Sequence, residues 1–281
     1  MPSHVNIHQA IKMKPQPKKS LGQHFLTDKN YCQKIVKFAQ INPHDKIIEI
    51  GSGTGQLTKA LLANAQRVLA IELDDSMVSY LQVELADQLE KPNHQLKILQ
   101  ADVLNLNWES ITKKSPVKIV GNLPYNISTR ILSTLSTVKH CFLDCTVMIQ
   151  KEVAQRILAG PCSRNYGFFT LIMDYHFKRI FGFDVPPGVF VPKPKVTSSV
   201  IKLIPQKPIH SISDYTAFQK LLKTAFRQRR KTLFNNLRIH YDPTSIGLAL
   251  EKYKINMRIR PEEVTLKQYI DLFDQLIHQE P

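Results

Sequence analysis

The segment GNLPYNIST, residues 121–129, follows the strand-like run VKIV and contains four residues suited to chemistry on an amine. The Asn122 side-chain oxygen and the Leu123 carbonyl oxygen can each accept a hydrogen bond. Two acceptors aimed at the hydrogens of an exocyclic amine, such as N6 of adenine, would pull the nitrogen towards a pyramidal geometry and free its lone pair. Pro124 would stiffen the turn, and Tyr125 would stack on the base.

The same four residues also fit an ordinary turn. In that interpretation Asn122 caps the turn, Pro124 ends the strand and Tyr125 fills the core. The residues at the ends of the neighbouring strands, at the same edge of the sheet, decide between the two interpretations.

Strand-like and helical patterns alternate along the first 160 residues. Strands are predicted at 45–51, 67–74, 96–102, 117–122 and 142–150, and helices at 31–41, 56–65, 76–90, 129–138 and 152–160. This alternation indicates βαβ units and a parallel sheet covered on both faces. Segments 174–185 and 198–205 are hairpin-like and predict antiparallel strands at one edge.

Three further polar features fall at predicted strand ends, where open α/β sheets bind their ligands. Gly51, Gly53 and Gly55 follow the first strand, so the backbone can approach a ligand and a helix start can supply N–H donors. Glu72 lies 21 residues after Gly51, a distance suited to binding ribose hydroxyls, and Asp102 is placed to accept from an adenine amine.

The glycine loop favours a nucleoside that carries no phosphate. Its third glycine comes one residue earlier than in the dinucleotide motif GxGxxG, and the loop contains no Lys or Arg to meet a pyrophosphate. S-adenosylmethionine is the common nucleoside cofactor of this kind. Its sulfonium is a good leaving group, so positioning and electrostatics would be sufficient without a strong general base.

The charge balance indicates a polyanionic partner. The chain of 281 residues has 38 Lys and Arg against 23 Asp and Glu, a net charge of +15. Such a balance attracts RNA, DNA or acidic membranes, although a soluble enzyme that is merely basic stays open. No segment approaches the ~20 apolar residues of a membrane span. The N-terminus has no signal-peptide core, and we expect a cytoplasmic protein. The cysteines show no paired spacing, so we expect no metal site.

The sequence resembles the ribosomal RNA adenine dimethyltransferase family from about Lys18 to the C-terminal helices, and its small-subunit members more than its large-subunit members. The resemblance is carried by KKSLGQHFL (18–26), EIGSGTGQLT (49–58), IELD (71–74), QAD (100–102), GNLPYNIST, IQKEVAQRI (149–157), FVPKPKVTSSV (190–200), FRQRRKTL (226–233) and RPEE (260–263). It implies a Rossmann-like class I methyltransferase fold with a mostly parallel sheet, an antiparallel edge and a small all-helical C-terminal domain.

The resemblance also implies an activity. It is S-adenosylmethionine-dependent N6,N6-dimethylation of two adjacent adenosines in the 3′-terminal hairpin of 16S rRNA, within an immature small ribosomal subunit. The implied cofactor contacts are His24, Leu26, Gly51, Gly53, Glu72, Asp102 and Asn122. Residues 122–125 become the target-adenine motif, and Phe190 a second stacking face. The family often has Asn where His24 stands, which leaves the role of that side chain open.

Four basic residues, Arg227, Arg229, Arg230 and Lys231, are predicted to share about one helical turn and to bind the RNA backbone. The alternative is a solvated face of a basic helix. Extruding a base from a hairpin costs a few kcal/mol, which backbone contacts of this kind would offset.

We expect a flexible basic tail at 1–17, a methyltransferase domain at 18–205 and a helical domain at 206–281 that contributes to rRNA binding. Nothing in the sequence suggests an obligate dimer, and we expect a monomer. Two other functions compete. One is dimethylation of large-subunit rRNA, as in the sister enzymes that confer macrolide resistance. The other is a ribosome-assembly or transcription factor that has lost catalysis, against which the intact Gly51, Glu72, Asp102 and Asn122 argue.

Overall fold

The computed structural model describes residues 15–65, 67–90, 95–112, 115, 117–208 and 210–277. Residues 1–14, most of the predicted basic tail, lie outside the described residues. The chain divides into two compact units, one of Met1–Ala154 and Ile180–Pro205, the other of Gln155–Arg179 and Gln206–Pro281. The sequence predicted a single boundary after residue 205, whereas 155–179 group with the C-terminal helices. How these units correspond to functional domains stays a prediction.

Seven of the nine described strands form one sheet, and the other two form a separate pair. The strands are β1 Phe25–Leu26, β2 Lys46–Ile50, β3 Arg67–Glu72, β4 Gln95–Gln100, β5 Val117–Asn122, β6 Phe142–Gln150, β7 Phe177–Val185, β8 Phe190–Val191 and β9 Ser198–Pro205. The order in the sheet is β4-β3-β2-β5-β6-β9-β7, and β1 pairs with β8 separately. Strands β2 to β6 are parallel and β9 runs antiparallel to β6. The predicted mostly parallel sheet with an antiparallel edge is confirmed.

Twelve α-helices lie within the described residues. They are α1 Lys29–Ala39, α2 Gln56–Leu62, α3 Asp75–Glu84, α4 Ala86–Leu89, α5 Trp108–Thr112, α6 Ser128–Thr137, α7 Lys151–Leu158, α8 Phe168–His176, α9 Tyr215–Ala225, α10 Leu233–Leu237, α11 Pro243–Lys252 and α12 Leu266–Ile277. Aspartates cap the N-termini of several helices. Asp28, for example, accepts hydrogen bonds from the N–H groups of Asn30 and Tyr31 at the start of α1.

The core of the first unit forms where helices α1 and α2 pack on the sheet. Ile35 of α1, Leu61 of α2 and Ile47 of β2 belong to one buried cluster, each at most 2% exposed. The strands read as continuous apolar runs because helices cover both faces of a parallel sheet. Each fully buried Leu or Ile side chain contributes about 1.5–3 kcal/mol of transfer free energy.

The second unit is helical after residue 205, where its described α-helices are α9 to α12. Phe218 of α9 and Phe273 of α12 meet edge to face, with ring centroids 5.2 Å apart. The buried Tyr269 donates its hydroxyl to the Pro261 carbonyl at 2.8 Å. Aromatic packing of this kind with a satisfied hydroxyl stabilises a small helical unit.

Candidate active site at the carboxyl ends of the strands

A cavity of about 250 Å³ lies at the carboxyl ends of β2, β3, β4 and β5. Parallel strands bring these four ends to one edge, and the N-terminal segment 21–25 forms a further wall. The cavity is lined by nine of the residues singled out from the sequence: His24, Gly51, Gly53, Glu72, Asp102, Asn122, Leu123, Pro124 and Tyr125. The structure therefore gathers most of the predicted site in one place.

The glycine loop needs glycine at two positions. Gly51 has φ +75°, and a Cβ there would lie 3.0 Å from the Asn122 carbonyl oxygen. Gly53 has φ +51°, and a Cβ there would lie 2.7 Å from Phe25 Cδ1. Both positive φ values are strained for other residues. A Cβ at Gly53 would overlap the Phe25 ring, and one at Gly51 would be unusually tight against a backbone oxygen. The loop thus keeps bare backbone against the cavity.

Glu72 both shapes the loop and faces the cavity. Its Oε2 accepts from the Gly53 N–H at 2.8 Å, and its Oε1 accepts from the N–H groups of Leu73 and Asp74. Burial raises the pKa of Glu72 above its ordinary value, although these three N–H groups oppose the shift. Since each carboxylate oxygen can accept two hydrogen bonds, Oε2 keeps capacity for a ribose hydroxyl.

Asp102 follows β4 and begins a 3-10 turn at Val103–Asn105. Its Oδ1 accepts from the Leu104 N–H at 2.9 Å, and its Oδ2 accepts from Asn105 Nδ2 at 3.1 Å. These bonds fix the carboxylate at the cavity wall and leave each oxygen able to accept once more. The predicted contact with an adenine amine is compatible with this geometry.

The amide of Asn122 has a defined orientation. Its Nδ2 donates to the His24 carbonyl oxygen at 2.8 Å. The Leu123 N–H donates to the Met148 carbonyl oxygen at 3.0 Å, and the Ile127 N–H to that of Pro124 at 3.2 Å, which closes the turn. Within the described part of the chain, no donor reaches Asn122 Oδ1. The turn and the reactive-site interpretations are therefore compatible, because the turn holds the acceptor in place.

Tyr125 is partly buried at the same wall. Its hydroxyl lies 2.5 Å from Ser198 Oγ, a partner on β9 that sequence reasoning missed. Burial raises the pKa of the Tyr125 phenol, against the opposing hydrogen bond from Ser198. The ring stacks on that of His24, with centroids 5.1 Å apart and planes inclined by 27°.

Leu26 and Phe190 lie elsewhere. They pair with each other on β1 and β8, and their side chains are 5% and 2% exposed within the apolar core. Neither lines the cavity. The implied stacking face at Phe190 and the implied cofactor contact at Leu26 therefore find no support in the cavity lining, and both stay predictions. A two-residue strand turns these apolar side chains inwards, where they anchor the segment that carries His24.

Asp74 is a structural residue that the sequence analysis did not single out. It accepts hydrogen bonds from Lys18 Nζ at 2.6 Å and from Gln23 Nε2 at 3.0 Å, and so ties the N-terminal wall to the end of β3. Burial would raise the pKa of Asp74, but the Lys18, Ser76 and Gln23 hydrogen bonds lower it overall. Its position before α3 as an N-cap was the available signal.

The basic residues are placed differently from the prediction. Arg227, Arg229, Arg230 and Lys231 lie in the loop between α9 and α10, termed here the basic loop, so their assignment to one helical turn is wrong. The buried Asn236 accepts from the Gln228 N–H at 3.0 Å and donates to the Gln228 carbonyl at 3.1 Å. These bonds hold the backbone away from a helix. All four basic residues are exposed, and their RNA role stays a prediction.

The donor and acceptor set fits S-adenosylmethionine. Glu72 and Asp102 present acceptors suited to ribose hydroxyls and to an adenine amine, and Ile71 and Val103 add apolar walls. In the described ranges, no group of three His, Cys, Asp or Glu side chains is arranged to hold a metal ion. The helices seen there are also too short or too polar to span a membrane.

Known proteins resemble the chain over most of its length. Residues 15–278 match the family described as Ribosomal RNA adenine dimethylase. The chain is 39% identical over 270 residues to ribosomal RNA small subunit methyltransferase A of Streptococcus thermophilus, covering 92% of this chain and 91% of that protein.

Two solved structures share the fold. A dimethyladenosine transferase from Plasmodium falciparum has a TM-score of 0.74 at 25% identity, over 89% of this chain and 96% of that one. The 23S rRNA methyltransferase ErmE has a TM-score of 0.69 at 23% identity, over 90% and 99% of the two chains. These likenesses confirm the predicted class I methyltransferase fold. The family match and the curated relative confirm the dependence on S-adenosylmethionine. The chain belongs to the ribosomal RNA adenine dimethylase family.

Proposed function

We propose that the chain transfers methyl groups to N6 of two adjacent adenosines in the 3′-terminal hairpin of 16S rRNA, giving N6,N6-dimethyladenosine at both. The substrate of this proposal is an immature small ribosomal subunit, met by a cytoplasmic monomer during subunit biogenesis. The family match and the relative named for the small ribosomal subunit support the choice of rRNA. The likeness to the large-subunit enzyme supports the fold alone.

The orientation of Asn122 carries the proposal. Because its Nδ2 is engaged by the His24 carbonyl, the amide oxygen is the atom left for a ligand in the cavity. An amide oxygen accepts hydrogen bonds and does not donate them. The site is therefore matched to an amine donor, such as adenine N6, rather than to a carbonyl oxygen.

The chain's residues would act by position and hydrogen bonding. Asn122 Oδ1 and the Leu123 carbonyl oxygen accept the two N6 hydrogens and draw the nitrogen lone pair out of the ring plane. S-adenosylmethionine supplies an electrophilic methyl group on a sulfonium. Neither acceptor is basic enough to keep the proton that the methylated nitrogen releases, so that proton passes to solvent. The contribution of the protein is alignment and electrostatics.

The basic loop would bind the RNA backbone. Its four cations are exposed, and the whole chain carries a net charge of +15. Phosphate neutralisation releases counterions, so binding should weaken steeply as salt rises. Such contacts offset the cost of extruding the target base.

The test is methylation of purified rRNA. Small-subunit and large-subunit rRNA, free and as immature particles, are incubated with labelled cofactor, and the modified bases are mapped by mass spectrometry. We expect dimethyladenosine at two adjacent positions of small-subunit rRNA, and a much slower reaction with Asn122→Ala. Methylation confined to the large subunit would contradict the proposal. Equally little product from wild type and Asn122→Ala, with equal RNA binding by the two proteins, would favour a binding factor without catalysis.

A further inference from the structure

His24 connects three segments around the cavity. Its carbonyl oxygen accepts from Asn122 Nδ2, its ring stacks on Tyr125, and its Nδ1 lies 2.7 Å from the Pro192 carbonyl oxygen. One residue thus contacts both side chains assigned to the target base, and also the loop that follows β8. The implied role of His24 as a cofactor contact accounts for none of these three contacts.

The contact with Pro192 shows that the ring nitrogen Nδ1 of His24 carries a hydrogen. A carbonyl oxygen can only accept, so Nδ1 carries the hydrogen and donates it to Pro192. An asparagine, the residue often found here in the family, can also donate to a carbonyl. It has no aromatic face, however. What histidine adds at this position is the surface that lies against Tyr125.

The Tyr125 ring is restrained at two places. Its hydroxyl is held by Ser198 Oγ, and one of its faces is covered by the His24 ring. A base stacking on Tyr125 therefore has only the opposite face to use. A ring held on one face loses less freedom when a base stacks on the other, which favours a single base position.

We propose that His24 is a positioning residue for the target adenine. Its ring backs Tyr125, and its carbonyl orients the Asn122 amide, so that base stacking and amine recognition are set by one residue. The inference rests on the proposed function, because it takes residues 122–125 as the adenine site. It adds a role towards the acceptor base to the cofactor contact that the resemblance implies for His24.

Three substitutions separate the contributions of this side chain. His24→Phe keeps an aromatic face but loses the donor to Pro192; His24→Asn keeps a donor but loses the face; His24→Ala loses both. His44→Ala, at an exposed histidine of the same unit, is the matched control. We measure kcat and KM on small-subunit rRNA, the Kd for S-adenosylmethionine, and thermal unfolding to confirm that each variant is folded.

We expect His24→Ala and His24→Asn to lower kcat about three- to tenfold, the size of a stacked aromatic pair, and His24→Phe to retain most of it. The Kd for the cofactor should stay within about twofold in all three. In a Tyr125→Ala background, His24→Ala should cause little further loss, because the partner ring is gone. Equal losses in the Phe and Ala variants, together with weaker cofactor binding, would overturn the proposal.

A second readout does not need methyl transfer. A single-stranded RNA oligonucleotide carrying 2-aminopurine is titrated with each variant, and quenching of its fluorescence reports stacking. Quenching should persist in His24→Phe and fall in His24→Ala and Tyr125→Ala. Equal quenching by wild type and His24→Ala would overturn the inference. Because this assay works even with an enzyme that yields no product on small-subunit rRNA, the two proposals can fail separately.

Discussion

The cavity of the first unit and the basic loop of the second unit are both built on turns, but they are held in different ways. At the cavity, Glu72 accepts hydrogen bonds from three backbone N–H groups, and Asn122 donates one to the His24 carbonyl. Gly51 and Gly53 also leave little room for a side chain. In the basic loop, one buried side chain, Asn236, holds the backbone at Gln228. The four cations are exposed, and Arg229 donates to the Arg164 carbonyl oxygen at 2.6 Å.

The difference follows from the forces each region uses. In the proposed function the cavity makes hydrogen bonds to a reacting amine, which weaken steeply when distance or angle is wrong, so it needs many restraints. Attraction between exposed cations and phosphates acts over about 10 Å at moderate salt and tolerates side-chain motion. The cavity should therefore be sensitive to small changes in geometry, and the basic loop to charge and ionic strength.

The largest effect should come from Asn122→Ala. Removing one aligned polar partner of the reacting group typically costs about 10²–10³-fold in kcat. We expect that loss in methyl transfer to rRNA, with the fold retained. Asn30→Ala, at an exposed asparagine on α1, is the control. Activity within threefold of wild type would show that Asn122 serves only the turn.

A smaller effect should come from removing charge in the basic loop. Arg230→Ala combined with Lys231→Ala should weaken rRNA binding about ten- to hundredfold at low salt and reduce the salt slope by about 1 per residue. The matched control is Arg238→Ala with Lys220→Ala, which removes equal charge from exposed positions of the same unit, one directly after α10 and one on α9. Equal loss in both pairs would mean that net charge, rather than the basic loop, binds RNA.

Asn236→Ala tests one restraint on the basic loop, the hydrogen bonds made by a buried side chain. The three hydrogen bonds of its amide, two to Gln228 and one to the Thr232 carbonyl, are lost. We expect the free energy of unfolding to fall by about 1–3 kcal/mol. The Kd for rRNA should rise by less than in the charge variant, because the cations remain. The adjacent Asn235→Ala leaves these bonds intact and is the control. If the Asn236→Ala variant is less stable but binds RNA as well as wild type, the loop conformation that Asn236 holds is not needed for RNA binding.

The smallest effect should be a pH response from Glu49, which lies on β2 beneath the glycine loop. Burial raises the pKa of Glu49 from 4.5 to about 8; the Thr58 hydrogen bond opposes the rise and the Glu72 charge adds to it. The unfolded chain releases this proton at lower pH. The stabilisation is thus complete below about pH 4.5 and is lost as pH rises towards 8, by about 1.4 kcal/mol per pH unit at most.

Glu49→Gln should remove this contribution. Chemical denaturation at pH 6 and pH 7 should show wild type losing about 1 kcal/mol more than the variant between the two values. An equal pH dependence in both proteins would mean that the buried carboxyl is ionised throughout this range. The basic loop contains no carboxylate or histidine, so its response is expected in salt rather than in pH.

Much of the first unit was predictable because its signals are local. The observed bounds of β5 and β6 equal the predicted 117–122 and 142–150, since buried parallel strands are continuous apolar runs. Helix α1 begins at Lys29 rather than residue 31 because Asp28 caps it. The two-residue strands β1 and β8 have no periodic signal and depend on pairing between distant segments.

The placement of individual site residues was less predictable. The strand ends located Gly51, Glu72, Asp102 and Asn122, because topology alone brings such ends together. Inward or outward orientation at Leu26 and Phe190 depends on the β1–β8 pair, which the sequence does not reveal. The run before and after Arg230 has helical composition, and the backbone departs from a helix there because of hydrogen bonds to the buried Asn236, which the sequence does not show.

The close approach of Gly51 to the Asn122 carbonyl has a further consequence. A Cβ at Gly51 would lie 3.0 Å from the Asn122 carbonyl oxygen, so in the proposed function the distance between methyl donor and acceptor depends on the absence of one side chain. An alanine at Gly51 would widen that span from inside the protein, with no change in either ligand. The backbone thus fixes the distance between the methyl donor and the acceptor nitrogen. We expect the enzyme to reject donors or acceptors whose reacting atoms need a larger separation.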